Sequence, residues 1–216
     1  MHDVNAALNL QSLPLFPLGT VLFPGGLLPL RIFEVRYLDM IRRCQKAGAP
    51  FGVVCLTEGR EVRQPGATQE GFAAIGTLAT LAQVQTPQPG LMVVQAHGAQ
   101  RFRIQSSEQL KHGLWVADVE QIADDLLVPV PEDLQATADA LGRLLETLEE
   151  QTREAGADLP VRAPWSLGDC GWVSNRWCEM LPLSTPMKQR LMELDNPLVR
   201  LELVGDLLAR NGITDA

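Results

Sequence analysis

Four cysteines (Cys44, Cys55, Cys170, Cys178) and three histidines (His2, His97, His112) are the side chains of this 216-residue chain best suited to nucleophilic or metal chemistry. A thiol nucleophile needs a neighbouring base or cation to lower its pKa. A structural zinc site needs cysteines and histidines at close, paired spacings. No two cysteines form a C-x-x-C pair, and no histidine falls at ligand spacing from them. The expectation is buried structural thiols and no metal site. Cys170 and Cys178 flank Trp172 and Trp177, but no redox motif stands behind them.

Ser184 and Lys188 lie four residues apart. A Ser–Lys dyad requires a desolvated lysine and a serine presented at an oxyanion hole. Ser184-Thr185-Pro186 reads instead as a helix N-cap with a proline in the first turn, leaving Lys188 solvated. The acidic pairs Asp124-Asp125 and Glu149-Glu150 are adjacent in sequence, so their side chains diverge and read as solvated faces. No catalytic residue and no cofactor are expected.

Binding is better represented. Arg101 and Arg103 sit on one side of an alternating run with Phe102 on the other, and two such arginines could touch phosphates. The net charge of −8 and only three lysines argue against this, since phosphate-driven binding needs clustered cations. Pairing with acids on neighbouring strands is the preferred reading. Phe33-Glu34-Val35-Arg36-Tyr37 closes a strand and opens a helix. Phe33 is expected in the core, Glu34 at the positive helix start and Tyr37 over an open end of the sheet. The exposed parts of that segment are a candidate contact for extended peptide. The binding candidates are thus Phe33, Glu34, Arg36, Tyr37, Arg101 and Phe102. Trp165, Trp172 and Trp177 could form an aromatic cage, although packing on helices is the simpler account.

The elements that must position these residues change character midway. Short apolar or alternating runs at 18–23, 27–33, 51–57, 73–86, 91–96, 101–105 and 115–122 predict strands, with turns at Pro24-Gly25-Gly26 and Pro87-Gln88-Pro89-Gly90. Many short strands favour a closed or nearly closed sheet, because closure removes exposed edges. One helix is predicted from Glu34 to Ala47, stopped by Gly48. Beyond Pro131 the apolar period becomes helical: helices are expected over 131–155, 172–181, 185–194 and 197–212, with a Pro/Gly-rich loop at 156–171. The uncharged stretch Leu13–Leu30 has the length of a short membrane span, but four prolines exclude a helix there. Met1-His-Asp-Val-Asn lacks a basic region, so no signal peptide is expected. Few cysteines and no glycosylation sequon point to a reducing cytoplasm.

Several blocks then fall into a known order. Leu13-Pro-Leu-Phe-Pro-Leu18, Val21-Leu-Phe-Pro24, Leu28-Pro-Leu-Arg-Ile-Phe-Glu-Val-Arg-Tyr37, Phe51-Gly-Val53, Gly76-Thr-Leu-Ala79, Gly98-Ala-Gln-Arg-Phe-Arg-Ile104 and Lys188-Gln-Arg-Leu-Met-Glu193 resemble the amino-terminal domain of the ATP-dependent protease Lon. The resemblance runs from about residue 10 to about residue 211. It implies an α+β fold: a PUA-like pseudo β-barrel with one inserted helix over 1–125, followed by a C-terminal α-helical bundle over 126–216. It implies a non-catalytic module that binds unfolded or extended polypeptide, as this domain helps Lon capture substrates and assemble. No G-x-x-x-x-G-K-[ST] phosphate loop is present, so the ATPase and protease domains are not expected here. A Lon-type protease and a second copy of the chain are further candidate partners; a membrane is not. The alternative reading is an RNA- or nucleotide-binding PUA-like module.

Overall fold

The structure is a computed structural model that describes residues 9–59, 70–155, 161 and 163–214. The predicted lack of a signal peptide, and residues 156–160 and 162 of the predicted loop, lie outside the described residues. The chain divides into two compact units, 1–124 and 125–216.

The first unit carries seven strands and one helix among its described residues: β1 (Asn9–Leu18), β2 (Leu27–Ile32), α1 (Val35–Ala47), β3 (Phe51–Glu58), β4 (Gly71–Phe72), β5 (Ile75–Gln88), β6 (Leu91–Gln109) and β7 (Trp115–Gln121). The pairings run β1–β7–β6–β5–β3 and return to β1, which lies parallel to β3 through Leu15↔Gly52 and Leu18↔Cys55. The other contacts in this circuit are antiparallel. β2 stands outside the circuit and pairs with β6 alone.

Three predicted strands are redrawn. The run expected at 18–23 is not a strand: β1 ends at Leu18, and the buried stretch beyond is held by single bonds, such as Thr77 Oγ1 donating to the Leu22 carbonyl at 2.6 Å. β1 instead begins earlier and absorbs a bulge at Ser12, whose φ of 52° is paid off by an amide bond to Asp118 Oδ1 at 3.0 Å. The strands expected at 91–96 and 101–105 are one 19-residue strand. Gly98 lets β6 run through: its N–H and carbonyl bond the Gly25-Gly26 turn, and the Phe23 carbonyl occupies the space a Cβ would need.

Two apolar cores result. One gathers Phe16, Leu30, Ile32, Phe51 and Val94 around the buried face of α1, namely Tyr37, Leu38, Met40, Ile41 and Cys44. The other holds Leu13, Leu15, Val54, Phe102, Trp115 and Val119. Gly48 ends α1 in the left-handed conformation, φ 61°, as its position past the last periodic residue predicts.

The second unit contains a 3₁₀ turn (Glu132–Leu134) and four helices: α2 (Gln135–Ala155), α3 (Cys170–Met180), α4 (Thr185–Glu193) and α5 (Pro197–Arg210). α3 starts two residues earlier than its apolar pattern indicates. Asp169 is its N-cap and accepts from the Trp172 amide at 2.9 Å. Asn196 caps α5 and Pro197 takes the first helical position. Leu141, Leu145, Val173, Leu201, Val204 and Leu208 are wholly buried. The chain is thus mixed α and β, with a strand-rich sheet and five α-helices among the described residues.

Candidate functional site

β2 alternates: Leu28, Leu30 and Ile32 are buried, while Pro29, Arg31 and then Phe33 point out. Phe33 is 57% exposed and Val35 71% exposed. The expectation of a core Phe33 is therefore wrong; the strand ends at Ile32 and the next alternation turns the ring to solvent. Between β2 and the end of β1 lies a concavity of about 250 Å³, lined by Phe16, Leu18, Thr20, Leu30, Phe33 and Tyr37 among others. Tyr37 is 3% exposed and stacks on Phe16 with ring centroids 4.0 Å apart, so it forms the wall of this hollow.

Arg36 lies behind that wall. It is buried, and its guanidinium donates to Glu34 at 3.0 Å, to the Gly113 carbonyl at 2.8 Å and to Glu70 at 3.4 Å, while sitting 4.5 Å from the Tyr37 ring. Glu70 also accepts from Trp115 Nε1 at 2.8 Å. Glu34 occupies the N-cap position of α1 without making a side-chain cap, because its carboxylate is held by Arg36. Arg36 positions the start of α1 and is not open to a partner.

Phe33, Glu34 and Tyr37 therefore converge on one hollow, with Arg36 supporting them. Arg101 and Phe102 belong elsewhere. Phe102 is 0% exposed in the second core, and Arg101 is 4% exposed. Alternation sorts the two sides of a strand but not their depth: the side that is open at Arg103 is covered at Arg101. The two-arginine phosphate contact loses one of its members. Sequence reasoning missed Thr20, Leu18 and Arg31 at this hollow. The one available signal was Pro29, since proline in a sheet marks an edge strand.

Elsewhere the chemistry is structural. All four cysteines are buried. Burial raises the Cys44 and Cys170 thiols and pushes Cys178 up to about 12. At neutral pH such groups hold almost no thiolate. Iodoacetamide at pH 7.5 is expected to modify these thiols only after denaturation. Rapid native labelling of Cys178, read by peptide mass, would contradict its burial.

Ser184 takes the N-cap position of α4, yet its hydroxyl makes no cap bond. Lys188 is not solvated as expected; it donates to the Glu179 carbonyl at 2.9 Å, which satisfies the last turn of α3. Burial pushes the Glu179 carboxyl up to about 7, against the pull of Arg176 and Lys188. A perturbed carboxyl can mark a catalytic acid. This one forms an ion pair with buried Arg176 at 2.8 Å and is part of the helical scaffold. Trp177 donates to the Thr137 carbonyl at 3.0 Å, Arg176 lies 5.9 Å from the Trp172 ring, and no ring contact joins the three tryptophans among the described residues. Among the described residues no cluster of metal-binding side chains occurs, and no helix is long and apolar enough to cross a membrane.

The family model of the ATP-dependent protease La (LON) substrate-binding domain matches residues 12–210. The Lon protease of Anaeromyxobacter dehalogenans is 25% identical over 206 residues, covering 92% of this chain and 23% of its own length. The chain spans about a quarter of the length of the curated Lon proteases it matches. Among solved structures, a Lon N-terminal domain protein from Xanthomonas campestris superposes with a TM-score of 0.67 and 32% identity, over 93% of this chain and 98% of the other. The N-terminal domain of a Mycobacterium avium complex Lon protease shares the fold, with a TM-score of 0.57 and 18% identity over 91% and 97% of the two chains.

Proposed function

The chain belongs to the LON substrate-binding domain family, and from that premise we propose that it is a non-catalytic receptor for unfolded or extended polypeptide. The observation that carries this reading is the hollow beside β2, with apolar Phe33 lining it and 57% exposed. At about 250 Å³ it is smaller than the roughly 300–1,000 Å³ of pockets that enclose whole small-molecule ligands. It suits the side chains of a passing polypeptide better than a nucleotide. The strand circuit supports a PUA-like pseudo-barrel over 1–125, and the helices support a bundle over 126–216. In this reading the first part carries recognition, the protein works in the cytoplasm, and a Lon-type protease is a natural downstream partner.

The test is a fluorescence-anisotropy titration with a permanently unfolded, carboxymethylated polypeptide. Saturable binding is expected, with the same polypeptide in its folded, disulfide-bonded form failing to compete. Absence of saturable binding to the unfolded form ends the proposal.

A further inference from the structure

We propose that β2 is the docking strand, and that the polypeptide it takes is an extended segment. This segment adds to its free edge with apolar side chains on one face and an acidic one on the other. The inference rests on the polypeptide-receptor reading and names how that site recognises its ligand. β2 pairs with β6 through Leu27↔His97 to Ile32↔Met92. Among the described residues its backbone has no partner on the opposite edge. An unpaired strand edge is a template for an added strand, which gains main-chain hydrogen bonds for affinity and alternate side-chain contacts for selectivity. Pro29 sits on this edge as prolines in sheets do, with its donorless nitrogen on the open side. That row is thus richer in acceptors than donors, and amide N–H groups are what it lacks.

The two faces of β2 set the side chains. A strand laid along it would place every second residue beside Leu28, Leu30 and Ile32, facing the hollow lined by Phe16, Leu18 and Tyr37. The intervening residues would lie beside Arg31. Arg31 is exposed and has no hydrogen-bond or ion-pair partner among the described residues, in a chain of net charge −8. An exposed cation at the rim complements a carboxylate on the incoming strand and disfavours a second cation.

The experiment uses the intact protein and labelled peptides of about six residues, the length of β2, alternating leucine with glutamate or leucine with lysine. The leucine–glutamate peptide is expected to bind more tightly. N-methylating its amides at alternate residues, on the edge facing β2, should weaken it roughly tenfold or more, since two or three backbone bonds are lost. Arg31→Glu should weaken it about threefold and turn the preference toward the leucine–lysine peptide. Equal binding of N-methylated and unmodified peptides, or an unchanged preference in Arg31→Glu, overturns strand addition. If the unfolded polypeptide still binds in that case, the receptor reading survives alone. If neither polypeptide nor peptide binds, both fall. A dimer in sedimentation that Arg31→Glu dissociates assigns the edge to a second copy and also overturns the proposal.

Discussion

Arg200→Ala is expected to destabilise the helical unit by about 3–5 kcal/mol, the usual consequence of removing one partner from a buried ion pair. Arg200 is 1% exposed. It donates to Asp125 Oδ2 at 2.6 Å, to Asn175 Oδ1 at 3.0 Å, and through Nε to the Leu191 carbonyl at 3.0 Å, with a further bond to the Leu194 carbonyl. The last two acceptors lie at the carboxyl end of α4, where carbonyls lack the regular intrahelical partner and Leu191 receives a long 3.3 Å bond from the Leu194 amide. One side chain of α5 thereby caps α4, ties in α3 and neutralises Asp125. Alanine would strip all of these at once and leave a cavity. Arg200→Lys keeps the charge but has no planar fork, so it should fall between wild type and alanine. Urea unfolding followed by tryptophan fluorescence measures this. A loss below about 1 kcal/mol for alanine would show that water replaces the guanidinium without penalty.

Arg36→Ala is the matching lesion in the sheet-bearing unit, with a similar expected loss of about 3–5 kcal/mol. It would remove the bonds to Gly113, Glu34 and Glu70 and leave the Glu70 carboxylate, only 8% exposed, with Trp115 as its remaining side-chain donor among the described residues. The orphaned charge is the larger part of that loss, so neutralising it should help. The double variant Arg36→Ala, Glu70→Gln is expected to be more stable than Arg36→Ala alone, a coupling that a double-mutant cycle reads directly. Additive losses in that cycle would show that the two side chains act independently. Because Arg36 braces the first turn of α1, the single variant should also weaken polypeptide binding at the hollow beside Tyr37.

Much of the architecture was legible because it is written in local chemistry. Gly48 ends α1, Asn196-Pro197 opens α5, and the alternation of Leu28, Leu30 and Ile32 marks a half-buried strand. The pieces that were not legible depend on distant residues. The runs at 91–96 and 101–105 read as two strands, and only the approach of the Phe23 carbonyl shows why Gly98 lies inside a single one. Arg101 has the sequence context of a surface residue, and its cover comes from the fold. Of the six binding candidates, Phe33, Glu34 and Tyr37 line one hollow. Phe102 was selected for its neighbours in sequence, yet it fills a core. A single exposed arginine such as Arg31 carries no sequence motif; its lack of a partner among the described residues is visible only in the fold.

The circuit of strands also has a consequence for synthesis on the ribosome. β1 is translated first of the described strands, but its antiparallel partner β7 follows about 100 residues later, as the pairing Leu10↔Val119 requires. At about 5–20 residues per second, that interval is roughly 5–20 s. Throughout it, the apolar run Leu13–Leu18 emerges without one of its two neighbours. The nascent chain is then itself an extended, hydrophobic segment of the kind that chaperones hold, and fragments that stop short of Trp115 inherit that exposure permanently.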